Sequence, residues 1–107
     1  MRYYKHLYLM DGLEKKKEKI IRKLEEKKFQ MNIHIITLAQ NEENHLEIYD
    51  SRLLLQPGFP HEDFFVVGIV TGYEDALELV EEITQVVYNE TKGADIRSYI
   101  LEKEQEV

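Results

Sequence analysis

The sequence feature that most constrains the fold is a run of large apolar residues in the second half of the chain. Residues 64–70 read Phe-Phe-Val-Val-Gly-Ile-Val, and aromatic and β-branched side chains favour β-strands. Because no polar residue interrupts the run, we expect a strand that is covered on both faces and lies centrally in its sheet. The glycine within it, Gly68, predicts a point where another element packs closely.

An amphipathic helix is predicted to follow this strand, beginning within residues 71–74 and running to about Thr91. The aliphatic side chains of that segment fall on one half of a helical wheel, and the acidic and amide side chains fall on the other. Gly93 then lies where glycine commonly ends a helix. The apolar half consists of Ala76, Leu77, Leu79, Val80, Ile83, Val86 and Val87.

The other elements are predicted from shorter patterns of apolar residues and turn residues. A strand over residues 4–10 precedes a basic helix from Asp11 to about Phe29. After this helix we predict a strand over 32–39, a polar loop over 40–45 and an extended segment over 46–55 that breaks near Asp50. A last strand over 96–101 follows the second helix. The predicted order is therefore β-α-β-β-β-α-β.

This order indicates an α+β domain. If the interrupted segment 46–55 is an edge hairpin arm, the remaining elements match a ferredoxin-like two-layer sandwich with an antiparallel or mixed sheet. Right-handed β-α-β crossovers would place both helices on one face of that sheet. We predict one domain over residues 1–107, in which residues 102–107 form a loose charged tail.

Several predicted strands are apolar on both faces, although two helices on one side would leave the other side bare. A large uncovered apolar face is rare on a monomer. We therefore expect self-association through the open sheet face, most simply as a homodimer. Light scattering that showed a monomer at micromolar concentration would contradict this expectation.

Charge is distributed unevenly along the chain. The net charge is −7, which disfavours general nucleic-acid affinity, yet residues 1–30 carry +5 and residues 31–107 carry −12. Two interpretations stay open. In one, the basic first helix lies beside the acidic second helix and neutralises it within one molecule; in the other, the asymmetry marks a partner surface.

Few residues are candidates for chemistry. The sequence has no cysteine, no close metal-binding histidine pair, no nucleophile motif and no phosphate-binding glycine motif, so we predict no catalytic residue, no metal and no cofactor. Ligand-binding candidates are His6, Tyr8, His34 and Arg52. For Arg52, the compact Asp50-Ser51-Arg52 stretch predicts either a kink between two short strands or a contact to an anion.

The strongest nucleic-acid feature is the basic first helix, where the candidates are Lys16, Lys19 and Lys23. Glutamates interleave with these lysines and could pair along the helix, as Glu18 could with Arg22. Internal pairing of this kind predicts an ordinary solvated helix face, so nucleic-acid binding is the less favoured interpretation.

Taken together, the sequence predicts a small non-catalytic interaction or regulatory module that acts as a homodimer. One alternative is a ligand-binding or enzymatic α+β dimer with a pocket between sheet faces, and another is nucleic-acid binding through the first helix. No apolar segment reaches the roughly 20 residues that a membrane span needs, and the lack of cysteine fits a reducing compartment. We therefore expect a cytoplasmic protein with no membrane partner.

Overall fold

The computed structural model describes residues 1–40 and 45–106. Four strands are formed: β1 (Arg2–Leu9), β2 (Ile33–Leu38), β3 (Leu46–Asp50) and β4 (Phe65–Thr71). Three α-helices accompany them: α1 (Lys17–Glu25), α2 (Tyr73–Thr91) and α3 (Ile96–Gln105). Short 3-10 helices cover Glu14–Lys16 and Ser51–Leu55. Most of the predicted 40–45 loop, residues 41–44, lies outside the described residues.

The strands form one mixed sheet in the order β1-β4-β2-β3. β4 pairs in parallel with β1 and antiparallel with β2, and β2 pairs antiparallel with β3. The α+β class and the central position of the apolar strand are thereby confirmed. The ferredoxin-like plan is not confirmed, because the order is β1-β4-β2-β3 and the segment that should supply its last strand is α3.

The last predicted strand, over residues 96–101, is wrong: this segment is α3. Asp95 caps its N-terminus, since the Asp95 Oδ1 accepts a hydrogen bond from the Ser98 backbone N–H at 3.1 Å. Ile96 and Ile100 are one helical turn apart and are both buried. The segment therefore buries its apolar residues with a helical period rather than a strand period.

The predicted loose tail is also largely helical, because α3 continues to Gln105. Glu104 turns back toward β1, where its Oε1 accepts a hydrogen bond from the Lys5 backbone N–H at 2.7 Å. This contact occupies a backbone donor in a stretch where the β1–β4 register is irregular, between Tyr3 and Tyr8. The end of the chain thus helps to hold the edge strand.

Helices cover both faces of the sheet. On one face α2 and α3 pack on Ile36, Phe65 and Val67, whereas on the other face α1 and the second 3-10 helix pack on Ile35 and Val66. The prediction that α1 and α2 share one face is wrong. The element after α2 is the helix α3 and not a strand, so α2 is not part of a β-α-β crossover. The open sheet face that we expected to mediate self-association is covered by the chain itself.

Gly68 confirms the predicted close approach. A β-bulge places Val67 and Gly68 on the same face of β4, directly beneath α2. A Cβ atom at Gly68 would lie 3.0 Å from the Leu79 Cδ2. Glycine therefore sets how closely α2 packs on the central strand.

Candidate functional site

The most distinctive surface feature is a groove of about 390 Å³ between α1 and the loop that follows it, residues 27–32. Buried side chains of the core on the α1 side, such as Leu13, Ile20 and Ile33, contribute to its apolar floor. Lysines one and two turns apart form its rim. We call this feature the lysine groove; it is lined by Leu13, Lys16, Lys19, Ile20, Lys23, Phe29, Gln30, Met31, Ile33 and Thr71.

The loop over residues 27–32 is held in one conformation at both ends and at its centre. Lys27 and Asn32 adopt left-handed backbone angles, with φ of 55° and 62°. The Asn32 carbonyl accepts a hydrogen bond from the Gly72 N–H at 2.8 Å. At the centre, Gln30 is only 8% exposed, and its Nε2 donates to the Ile20 carbonyl at 3.2 Å.

Pinning Gln30 inward directs its two neighbours outward. Phe29 is 57% exposed and Met31 is 73% exposed, although both side chains are large and apolar. The Gln30 carbonyl also accepts a hydrogen bond from the Ser51 hydroxyl at 3.4 Å. Two apolar side chains are therefore displayed beside the lysines on a loop whose conformation is already fixed, which lowers the entropic cost of using them in binding.

The rim lysines keep their charge available. Among the described residues, Lys16, Lys19 and Lys23 form no ion pair, and Glu18 and Arg22 do not approach within 4.0 Å. The pairing that we expected along this helix is therefore not formed.

Three acidic residues near this helix contact groups other than the rim lysines. Glu14 accepts from the Gly12 N–H at 3.1 Å, Glu25 accepts from the Tyr3 hydroxyl at 2.6 Å, and Glu26 lies 3.8 Å from the Lys28 Nζ. None of these contacts involves a rim lysine. The groove consequently combines an apolar floor with lysines that form no direct ion pair to any described residue.

His34 and Arg52 are brought together through Asp50. The Arg52 guanidinium donates to both Asp50 carboxylate oxygens, at 2.6 to 3.1 Å, and His34 Nε2 lies 3.9 Å from Asp50 Oδ2. The hydrogen bond from Arg52 is the main cause that lowers the pKa of Asp50. Asp50 also accepts from the Arg52 backbone N–H at 2.9 Å and so caps the 3-10 helix that begins at Ser51. The break predicted near Asp50 is formed, but residues 51–55 are a 3-10 helix rather than a second short strand. Arg52 is paired with Asp50 rather than with an anion.

His6 and Tyr8 lie apart from this cluster, because β1 is separated from β2 by β4. His6 is exposed and packs edge-on against Tyr4, with ring centroids 5.5 Å apart. Tyr8 is half-buried beside the α3-side core, where burial and then the charge of Glu90 raise its pKa. The four ligand-binding candidates therefore do not converge on one site.

A second cleft, of about 270 Å³, lies at the carboxyl ends of the parallel strands β1 and β4, where many α/β proteins bind ligands. Its lining includes Asp11, Asp75, Glu78 and Glu82, so its charge opposes an anionic ligand. Over residues 1–40 and 45–106, no group of three or more histidine and carboxylate side chains is placed to hold a metal ion. The same residues contain no helix with the length and apolarity to cross a membrane.

Sequence reasoning identified the rim lysines but missed Phe29, Gln30 and Met31. The predicted helix ran on to Phe29, whereas α1 ends at Glu25. No local signal marks their exposure, because Phe29 and Met31 continue the alternation of Ile33 and Ile35 in the next strand.

Comparisons of the chain with protein-family models, with curated proteins and with solved structures found no match. The function is therefore argued from the geometry of the lysine groove alone.

Proposed function

We propose that this protein is a non-catalytic interaction module whose docking site is the lysine groove. Its partner is an acidic helical segment of a protein that carries an apolar stripe. The observation that carries the proposal is the fixed loop that displays Phe29 and Met31 beside three lysines without ion pairs. An amphipathic helix fits such a groove by laying its apolar face on the floor, while its carboxylates meet the rim.

The chemistry of the groove favours a protein helix over nucleic acid. Exposed methionine is typical of surfaces that bind helices, because its flexible side chain adapts to different apolar contacts. A platform for single-stranded nucleic acid uses several aromatic side chains, and the groove offers only Phe29.

The test is fluorescence anisotropy with a labelled synthetic helical peptide that carries leucines on one face and glutamates beside them. We expect saturable binding that weakens in about 0.5 M NaCl, where screening shortens the range of exposed charges to a few ångströms. The variant K16E/K19E/K23E should lose at least about tenfold in affinity, or roughly 1.4 kcal/mol.

A matched control is available on the same segment, which comprises the first 3-10 helix and α1. K15E/K17E/R22E changes the net charge by the same amount at exposed positions that do not line the groove. It should retain the peptide affinity to within about threefold, as expected for surface charges away from a contact. Equal loss in both variants, or tighter binding of a thymidine oligonucleotide than of the peptide, would refute the proposal.

A further inference from the structure

Large apolar side chains are exposed at two places in the described part of the chain. Phe29 and Met31 lie in the lysine groove, and the remaining four lie on α2: Tyr73, Leu77, Val86 and Tyr88. Of these four, Val86 lies on a different flank of the helix. The other three follow a single line along α2, and we call that line, together with Thr84 within it, the α2 stripe.

The spacing of the α2 stripe matches a helix that docks by one flank. Leu77, Thr84 and Tyr88 follow Tyr73 by 4, 11 and 15 residues, which are close to whole numbers of helical turns. The stripe therefore extends about 22 Å at 1.5 Å per residue. The first residue of the stripe packs against the sheet, since the Tyr73 ring lies edge-on to the His34 ring with their centroids 6.3 Å apart.

The charge of α2 complements that of the groove. α2 contains six acidic residues and no lysine or arginine, and Glu74 and Glu81 are exposed on the same side of the helix as the stripe. Two α2 helices that met face to face would bring like charges together. An α2 stripe that met the lysine groove would pair carboxylates with ammonium groups and apolar side chains with Phe29 and Met31.

We propose that the occupant of the lysine groove is the α2 stripe of a second copy of this chain. This inference rests on the proposed function, because it names the partner of the same groove. The helices α1 and α2 lie on opposite faces of the sheet, so one copy offers its groove to one neighbour and its stripe to another. The contact is head-to-tail, and such contacts generate open chains or rings rather than two-fold dimers.

Two variants that each disable one surface test this assembly. K16E/K19E/K23E removes the groove, and L77K/Y88K places positive charge on the stripe at positions that are exposed and that do not hold the core. In sedimentation velocity, the unmodified chain should form species larger than dimers as its concentration rises to about 0.1 mM, a range that detects micromolar affinities. Each variant alone should be a monomer, and an equimolar mixture should form one-to-one heterodimers that grow no further.

The mixture gives a result that misfolding cannot imitate, because each variant supplies the surface that the other lacks. K15E/K17E/R22E should assemble like the unmodified chain. Monomers in both the unmodified sample and the mixture would overturn the inference, as would a dimer that both variants retain. If the groove still binds the acidic peptide in that case, the proposed function stands and only the identity of its partner falls; if it does not, both fall.

Discussion

Replacing Gln30 tests whether the groove is held ready before a partner arrives. Gln30 is only 8% exposed, and Gln30→Ala removes the 3.2 Å hydrogen bond that its Nε2 donates to the Ile20 carbonyl. A hydrogen bond of this kind contributes about 1 kcal/mol net, and the lost methylene contributes about 0.8 kcal/mol more. The Ile20 carbonyl stays within the α1 hydrogen-bond ladder, so no buried acceptor is left bare. We therefore expect Gln30→Ala to lower the free energy of unfolding by about 2 kcal/mol.

Urea denaturation measures this change. For a chain of this size the free energy of unfolding falls by about 1–3 kcal/mol per molar urea, so the midpoint should drop by roughly 1 M. Gln30→Met keeps the stem and loses only the hydrogen bond, so its loss should be about half as large. Gln56→Ala changes an exposed glutamine and should stay within about 0.5 kcal/mol of the unmodified chain.

Gln30→Ala should also weaken peptide binding. If Gln30 fixes the loop, Gln30→Ala leaves Phe29 and Met31 to be ordered on binding, which costs about 0.5–1.5 kcal/mol for each side chain. The affinity for the acidic peptide should then fall by roughly tenfold. Two results would show that Gln30 does not fix the loop before binding. One is that Gln30→Ala unfolds at the same urea concentration as Gln56→Ala, and the other is that it destabilises the fold without lowering the affinity for the peptide.

Two further predictions concern the rest of the fold. Ile100→Ala should lower the free energy of unfolding by about 2–5 kcal/mol, since Ile100 is completely buried on the inner face of α3, and Leu101→Ala should cost less because Leu101 is half-buried; equal costs in urea denaturation would contradict the helical assignment. The pKa of Asp50 is lowered in the folded chain mainly by its hydrogen bond from Arg52, so its stabilising effect is present above the unfolded pKa of about 3.9 and is lost as the pH falls through the folded pKa. Arg52→Ala should therefore be less stable than the unmodified chain at pH about 7, and that difference should disappear in acid; a difference that persisted would show that Asp50 is not its source.

Local sequence patterns were sufficient to predict β4 and α2, the two elements with the longest regular patterns. The β4 run lacks alternation because both of its faces are buried, and the α2 wheel is clean because one half of it packs on the sheet. At residues 96–105 the pattern was ambiguous, since the adjacent pair Ile100 and Leu101 suits either a strand or a helix. The Asp95 cap and the helix-favouring run after Leu101 indicate the helix, although the charged residues 102–107 taken alone are also typical of a loose tail.

The groove was harder to predict because long-range contacts complete it. The rim lysines follow from helical spacing alone. The exposure of Phe29 and Met31 depends on where α1 ends, and that end is fixed by Gln30 reaching back to Ile20 and by Ser51, which lies 21 residues further along the chain. No local pattern carries that information, so half of the site could be read from the sequence and the other half required the fold.

The fold also bears on the charge asymmetry, for which two explanations were open. Neutralisation within one molecule requires the basic helix to lie beside the acidic helix, but α1 and α2 pack on opposite faces of the sheet. The whole sheet and two layers of side chains separate them, and exposed charges are largely screened beyond about 8 Å at physiological ionic strength. The two helices therefore do not neutralise each other by contact. Their charges remain directed toward solvent, where a second molecule can meet them, and for that reason the asymmetry favours recognition between molecules over stabilisation within one.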